Sequence, residues 1–96
     1  MYRGRRFLSK EGKAAKESIG WEIKKQYRSK PLKCPIGVDI DFYVPNSRSD
    51  LDNLLKGVLD CMSGLVYEDD RQIIQILTNK WIDKKEPRIE IIVNQL

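Results

Sequence analysis

The chain has 96 residues, 41% of them hydrophobic and 33% charged, and a formal net charge of +4. This is the balance of one small globular domain; no run approaches the roughly 20 apolar residues that span a bilayer, and no signal peptide is read at its start. Two scattered cysteines, Cys34 and Cys61, argue against a disulfide scaffold and fit buried or partly buried free thiols in a reducing cytoplasm, with a redox pair between them as the lesser alternative.

Residues 1–8 read as a flexible basic arm, with Arg3, Arg5 and Arg6 near Tyr2 and Phe7. Arginine pairs with phosphate through a bidentate fork. Ser9 then suits the cap of a helix running to about Ser29, with Glu11 in its first turn. Ala15, Ile19, Ile23 and Tyr27 recur at four-residue steps and predict the buried stripe. Lys10 lies at its start, and Lys13, Lys16, Lys24 and Lys25 lie off the stripe. Trp21 reads as a core or interface residue in preference to a base-stacking one.

Pro31 and Pro35 bracket a linker. Alternation predicts a strand over 36–44, with Val38, Ile40, Phe42 and Val44 on one face and Asp39, Asp41 and Tyr43 on the other. The two acids read as exposed. Residues 45–49 form a loop in which Arg48 is placed for a phosphate contact.

A second helix follows. Leu51, Leu54, Leu55, Val58 and Met62 have the spacing of one helical face. Asp50 stands where an N-cap belongs and Gly64 where the residue after the C-cap belongs. Lys56 lies one turn beyond Asp52 on the same side. A strand over 72–82 has apolar residues on both faces: Ile74 and Ile76 with Thr78, and Ile73, Leu77 and Trp81 with Gln75. That pattern implies one face over a helix and the other against a partner. A turn at 84–87 leads to a last strand, 88–94. The order predicts an α+β domain with a mainly antiparallel sheet and two helices packed on it.

The carboxylates are the chemical signal. The second helix runs roughly 20 Å. If residues 65–70 are extended, they run back about as far and return Asp70 to Asp50 and Asp52. Like charges gain little from meeting unless a cation joins them. Magnesium suits such oxygen ligands, and a nearby lysine offsets charge on a phosphate. Zinc does not fit a chain without histidine. The same lack removes the usual general base and leaves water activated by a cation as nucleophile. The plainer reading stands beside this one: Asp50 a cap, Asp52–Lys56 a surface ion pair, residues 68–70 an acidic loop.

Charge is unevenly spread. Residues 1–33 hold eleven Lys/Arg against three Glu, and residues 34–96 hold seven against eleven acids. A basic first third joined to an acidic site suits a protein that grips a polyanion, with Arg3, Arg5, Arg6, Lys10, Lys13 and Arg48 as its expected contacts to nucleic acid, and binds cations. A solvated lysine-rich helix is the plainer alternative.

Asp50-Leu51-Asp52-Asn53-Leu54, then Lys56, Asp60, Gly64 and Asp69-Asp70-x-Gln72-Ile73, resembles the signature of the RusA-type Holliday junction resolvases. Upstream, Tyr2-Arg3-x-x-Arg6 and Ser9-x-Glu11-Gly12-x-Ala14 are similar to the family's lead into its first helix. The resemblance implies a dimeric endonuclease that uses magnesium, with manganese as a substitute, to resolve four-way DNA junctions. It implies catalytic roles for Asp50, Asp52, Lys56 and Asp70, with the three acids on the metal, and supporting roles for Asn53 and Asp69. Such proteins usually begin with a strand and a proline-rich turn; this chain starts at Met1-Tyr2-Arg3, so a RusA-like sheet lacking that strand is expected. The rival readings are a shortened, inactive relative that binds DNA junctions without cutting, and an interaction subunit using its exposed strand faces.

Overall fold

The computed structural model describes residues 4–9 and 16–96. Along the chain run β1 (Gly4–Ser9), α1 (Lys16–Gln26), β2 (Ile36–Val44), α2 (Leu51–Met62), β3 (Ile73–Ile82) and β4 (Arg88–Gln95). The strands form one sheet in the order β1-β4-β2-β3. The β1–β4 and β2–β4 pairings are antiparallel, while β2 and β3 run parallel. The domain is therefore α+β with a mixed, mainly antiparallel sheet.

Every second residue of β2 from Val38 to Val44 is buried, together with Phe7, Ile89, Ile91 and Val93. Against that face pack Ile19, Ile23 and Tyr27 of the first helical segment and Leu54, Val58 and Met62 of α2. The expected stripes on both helices are thus the ones that are buried. Ala15 lies outside the described residues.

Two expectations at the start of the chain are corrected. Residues 4–9 form a strand, not a flexible arm, and pair with β4 from Gly4↔Asn94 to Ser9↔Ile89. Ser9 therefore ends a strand, and the expected start of the helix, over residues 10–15, lies outside the described residues. Phe7 fixes the strand: it is buried and meets the Tyr27 ring edge to face at 5.9 Å. Gln26 supports the strand from α1. Its side-chain amide accepts from the Leu8 N–H and donates to the Leu8 carbonyl, each at 2.9 Å, so both polar groups of that edge residue are satisfied. The helix ends at Gln26, short of Ser29. Trp21 is not core: 64% of it is exposed.

The largest correction lies between α2 and β3. Residues 65–70 do not run back along the helix as a strand. The Leu65 and Val66 N–H groups donate to the Met62 carbonyl, and Gly64 N–H to the Tyr67 carbonyl, which folds the chain at the end of α2. Gly64 takes φ +87° there, the left-handed conformation that ends many helices. The next backbone groups pair with Leu32, through Leu32 N–H to Val66 and Glu68 N–H to the Leu32 carbonyl. β3 thus starts beside the start of β2 and runs parallel to it. β2, α2 and β3 form a βαβ unit.

β3 is an edge strand. Ile74 and Leu77 are 63% and 61% exposed, and Ile76, Trp81 and Ile82 are also exposed. Asp41, expected as a free surface acid, is half-buried and accepts from Asn79 Nδ2 and Trp81 Nε1, both at 3.2 Å.

Candidate active site

Four polar residues of the motif gather at the first turns of α2. Asp50 has extended backbone angles, and its carboxylate accepts from the Asp52 N–H at 3.4 Å. Its carbonyl accepts the Leu54 N–H at 3.0 Å, which begins the helix. Asp52, Asn53 and Lys56 are exposed, while Leu54 and Val58 are buried below them. The helical period that sinks the leucines thus lifts the acid, the amide and the lysine to the surface together. The positive end of the helix dipole favours the two carboxylates.

The loop before Asp50 is tied to the outer strand. Lys80 Nζ of β3 donates to the Ser49 carbonyl at 2.7 Å and to the Ser47 carbonyl at 3.4 Å. Arg48 stays exposed in that loop, its N–H donating to Asn46 Oδ1. It precedes Asp50 by two residues.

Asp70 is elsewhere. It opens a single 3-10 turn, Asp70–Gln72, just before β3. Its Oδ1 accepts from the Tyr67 hydroxyl at 3.0 Å, and that hydroxyl lies equally close to the Leu59 carbonyl. Leu59 is nine residues past Asp50, so Asp70 sits about 13 Å farther along the helix axis. Among the described residues no three His, Cys, Asp or Glu side chains come close enough to hold one metal ion. The predicted meeting of Asp70 with Asp50 and Asp52 does not occur within one chain. The parallel crossover leaves the two acid groups at opposite ends of α2.

The Asp70 end has its own order. Tyr67 is fully buried. Burial pushes its hydroxyl far above the ordinary tyrosine range, helped by the charge and hydrogen bond of Asp70 and the charge of Asp60. It therefore stays a neutral donor, which suits a fixed carboxylate acceptor. Asp69 caps the 3-10 turn and accepts from the Arg71 N–H. That N–H, with the Arg71 side chain, holds the Asp69 carboxyl below its usual range. Asp69 is thus engaged in holding this turn.

Gln72 is the residue that motif reading left without a task. Its Oε1 accepts the Glu68 and Asp69 N–H groups, and its Nε2 donates to the Leu32 and Cys34 carbonyls. All four bonds are 2.8–2.9 Å long. Asp69 and Gln72 have the spacing of a capping box, a signal present in the sequence. Tyr67 and Lys80 carry no comparable local signal, because their partners are fixed by tertiary packing. Of the expected DNA-contacting residues, Arg3, Lys10 and Lys13 lie outside the described residues. Arg5 and Arg6 stand opposite Val93 and Ile92 in the sheet.

Comparison with known proteins points one way. The family model described as "Endodeoxyribonuclease RusA" matches residues 1–94. A crossover junction endodeoxyribonuclease RusA of Escherichia coli K12 is 29% identical over 96 residues, covering 98% of this chain and 80% of that protein. The protein of the same name from Aquifex aeolicus is 36% identical over 66 residues, 67% of this chain and 52% of that one. An uncharacterized Bacillus subtilis protein, YqaN, is 35% identical over 52 residues, and the match spans 54% of this chain and 36% of YqaN.

Proposed function

The chain belongs to the RusA endodeoxyribonuclease family, and from that premise we propose that it is a magnesium-dependent endonuclease that resolves four-way DNA junctions as a homodimer. The observation that carries the dimer is the separation of the acids. Asp50 and Asp52 stand at one end of α2 and Asp70 at the other, so a site using all three draws them from two copies.

The exposed edge of β3 is suited to that assembly. A two-fold axis beside it pairs β3 with the same strand of a second copy, antiparallel. The open backbone edge is then satisfied, and side chains sharing a face of the joined sheets, Ile74, Ile76 and Ile82 on one and Leu77 and Trp81 on the other, meet their counterparts across the seam. An antiparallel pairing sets the start of one β3 beside the end of the other. The end of β3 pairs with Val44 and carries Lys80, which holds the Ser47–Ser49 loop before Asp50. Asp70 of the partner subunit is thereby carried toward Asp50 and Asp52, and each dimer has two such sites. A four-way junction has approximate two-fold symmetry, which matches them.

In this reading Asp50, Asp52 and Asp70 of the partner subunit hold the cation. Magnesium bound there supplies positive charge that activates water and stabilises the leaving 3′ oxygen. Lys56, one turn beyond Asp52, steadies the phosphate and the charge that grows on it. Tyr67 holds the Asp70 carboxylate at a fixed angle. Arg48 and the arginines of the first segment bind flanking phosphates.

The test is cleavage of a synthetic four-way junction with and without magnesium, beside linear duplex of the same sequence. Paired symmetric nicks on the junction alone, and only with the metal, are expected. Tight junction binding without nicks would favour a non-cutting junction binder instead.

A further inference from the structure

A groove of about 530 Å³ opens at the C-terminal end of α1, in the size range of sites that accept small organic ligands. Trp21, Lys24, Lys25 and Arg28 line it on one side, Gly64 and Leu65 on another, and among the described residues none that lines it is acidic. The indole of Trp21 is 64% exposed, and Lys24 Nζ lies 5.7 Å from its ring centroid. An exposed aromatic face among cations is the arrangement that takes a base on the ring and the strand's phosphates on the charges.

The groove also has a place relative to the acids. Gly64 N–H donates to the Tyr67 carbonyl at 2.7 Å, and the Tyr67 hydroxyl binds Asp70. One short chain of contacts thus joins the wall of the groove to Asp70, the acid that opens the turn before β3. We infer that this groove is a stacking subsite for an unpaired base of branched DNA, with Trp21 as the platform and Lys24, Lys25 and Arg28 on the adjoining phosphates. Bases inside a duplex are stacked on each other and cannot reach a side chain on a convex helix. Bases at a branch point can leave the stack. The groove therefore selects the branch over its arms and sets a displaced base beside the Asp70 end of the site. This rests on the proposed junction-cutting reading.

The test is affinity for a four-way junction, for linear duplex and for an oligothymidylate, measured without magnesium so that nothing is cut. Trp21→Ala is expected to weaken the junction and the single strand roughly tenfold and to leave linear duplex unchanged. Trp21→Phe should restore most of the loss. The salt dependence of binding should stay the same for Trp21→Ala, because no cation is removed, and should fall for Lys24→Ala with Lys25→Ala. An iodouracil in the single strand should cross-link to the peptide holding Trp21. If the unaltered protein binds the junction, yet Trp21→Ala binds equally well and the cross-link falls elsewhere, the subsite is wrong and the junction reading survives. If the unaltered protein does not bind the junction, the parent reading fails. Loss of self-association in Trp21→Ala, with no change in DNA affinity per dimer, would make Trp21 a subunit contact and overturn the subsite.

Discussion

Tyr67 lies fully buried, with its hydroxyl reaching out to a surface carboxylate. A buried hydroxyl is tolerated when it is hydrogen-bonded, and here it has two acceptors within 3.0 Å. Tyr67→Phe is expected to cost about 1 kcal/mol of stability, the usual net value of one such bond. It should also reduce cleavage more than junction binding, because Asp70 loses its fixed donor. Urea unfolding and single-turnover cleavage measure the two effects. Asp69 gives a prediction in pH. Its folded-state pKa is lowered, first by the Arg71 N–H. The stabilising cap is therefore fully present above the ordinary aspartate value of about 3.9 and is lost as pH falls through the lower folded value. Exchange of the Arg71 amide should accelerate on acidification below that range. In Asp69→Asn, which does not titrate, that acceleration should be absent.

At the scale of elements, the strongly periodic pieces were legible and the edges were not. The strand over 36–44 and the helix opened by Asp50 stand where alternation, capping and a terminal glycine put them. β1 was missed because its two arginines, Arg5 and Arg6, speak of solvent, while one buried ring, Phe7, and the pairing with β4 decide the outcome. The path from α2 to β3 was misread for a different reason. Local spacing fixes the length of a segment but not its direction. The direction came from Leu32, thirty-odd residues upstream, whose backbone captures Val66 and Glu68. Trp21 was expected as a core or interface residue on residue type alone, and the stripe of Ile19, Ile23 and Tyr27 leaves it outside the core. The apolar residues on both faces of the 72–82 strand were read as a helix contact and a partner contact; β3 lies at the sheet edge, with Ile73 packed on the core and Ile74, Ile76, Leu77, Trp81 and Ile82 exposed. Lysine at Ile74 and Leu77 together is expected to turn a dimer into a folded monomer. Sedimentation and circular dichroism check this, and an unchanged dimer would remove β3 from the interface.

At the scale of the whole molecule, the first turns of α2 show how much a motif can carry and where it stops. The spacing of Asp50, Asp52 and Lys56 places them together on the exposed side of the first turns, as the sequence implied. The partner for those acids was not legible, because one chain does not bring Asp70 to them. Mixing two inactive variants tests that point directly. Asp52→Asn and Asp70→Asn should each bind a four-way junction and cut nothing. In a mixed dimer the shared-site arrangement puts both defects into one site and leaves the other intact. Equal mixing, after subunits exchange, should therefore restore nicking at one strand of the junction. If each chain supplies its own three acids, both sites of the mixed dimer carry a defect. Mixtures that stay inactive, with exchange shown and the unaltered protein cutting beside them, would contradict the shared site.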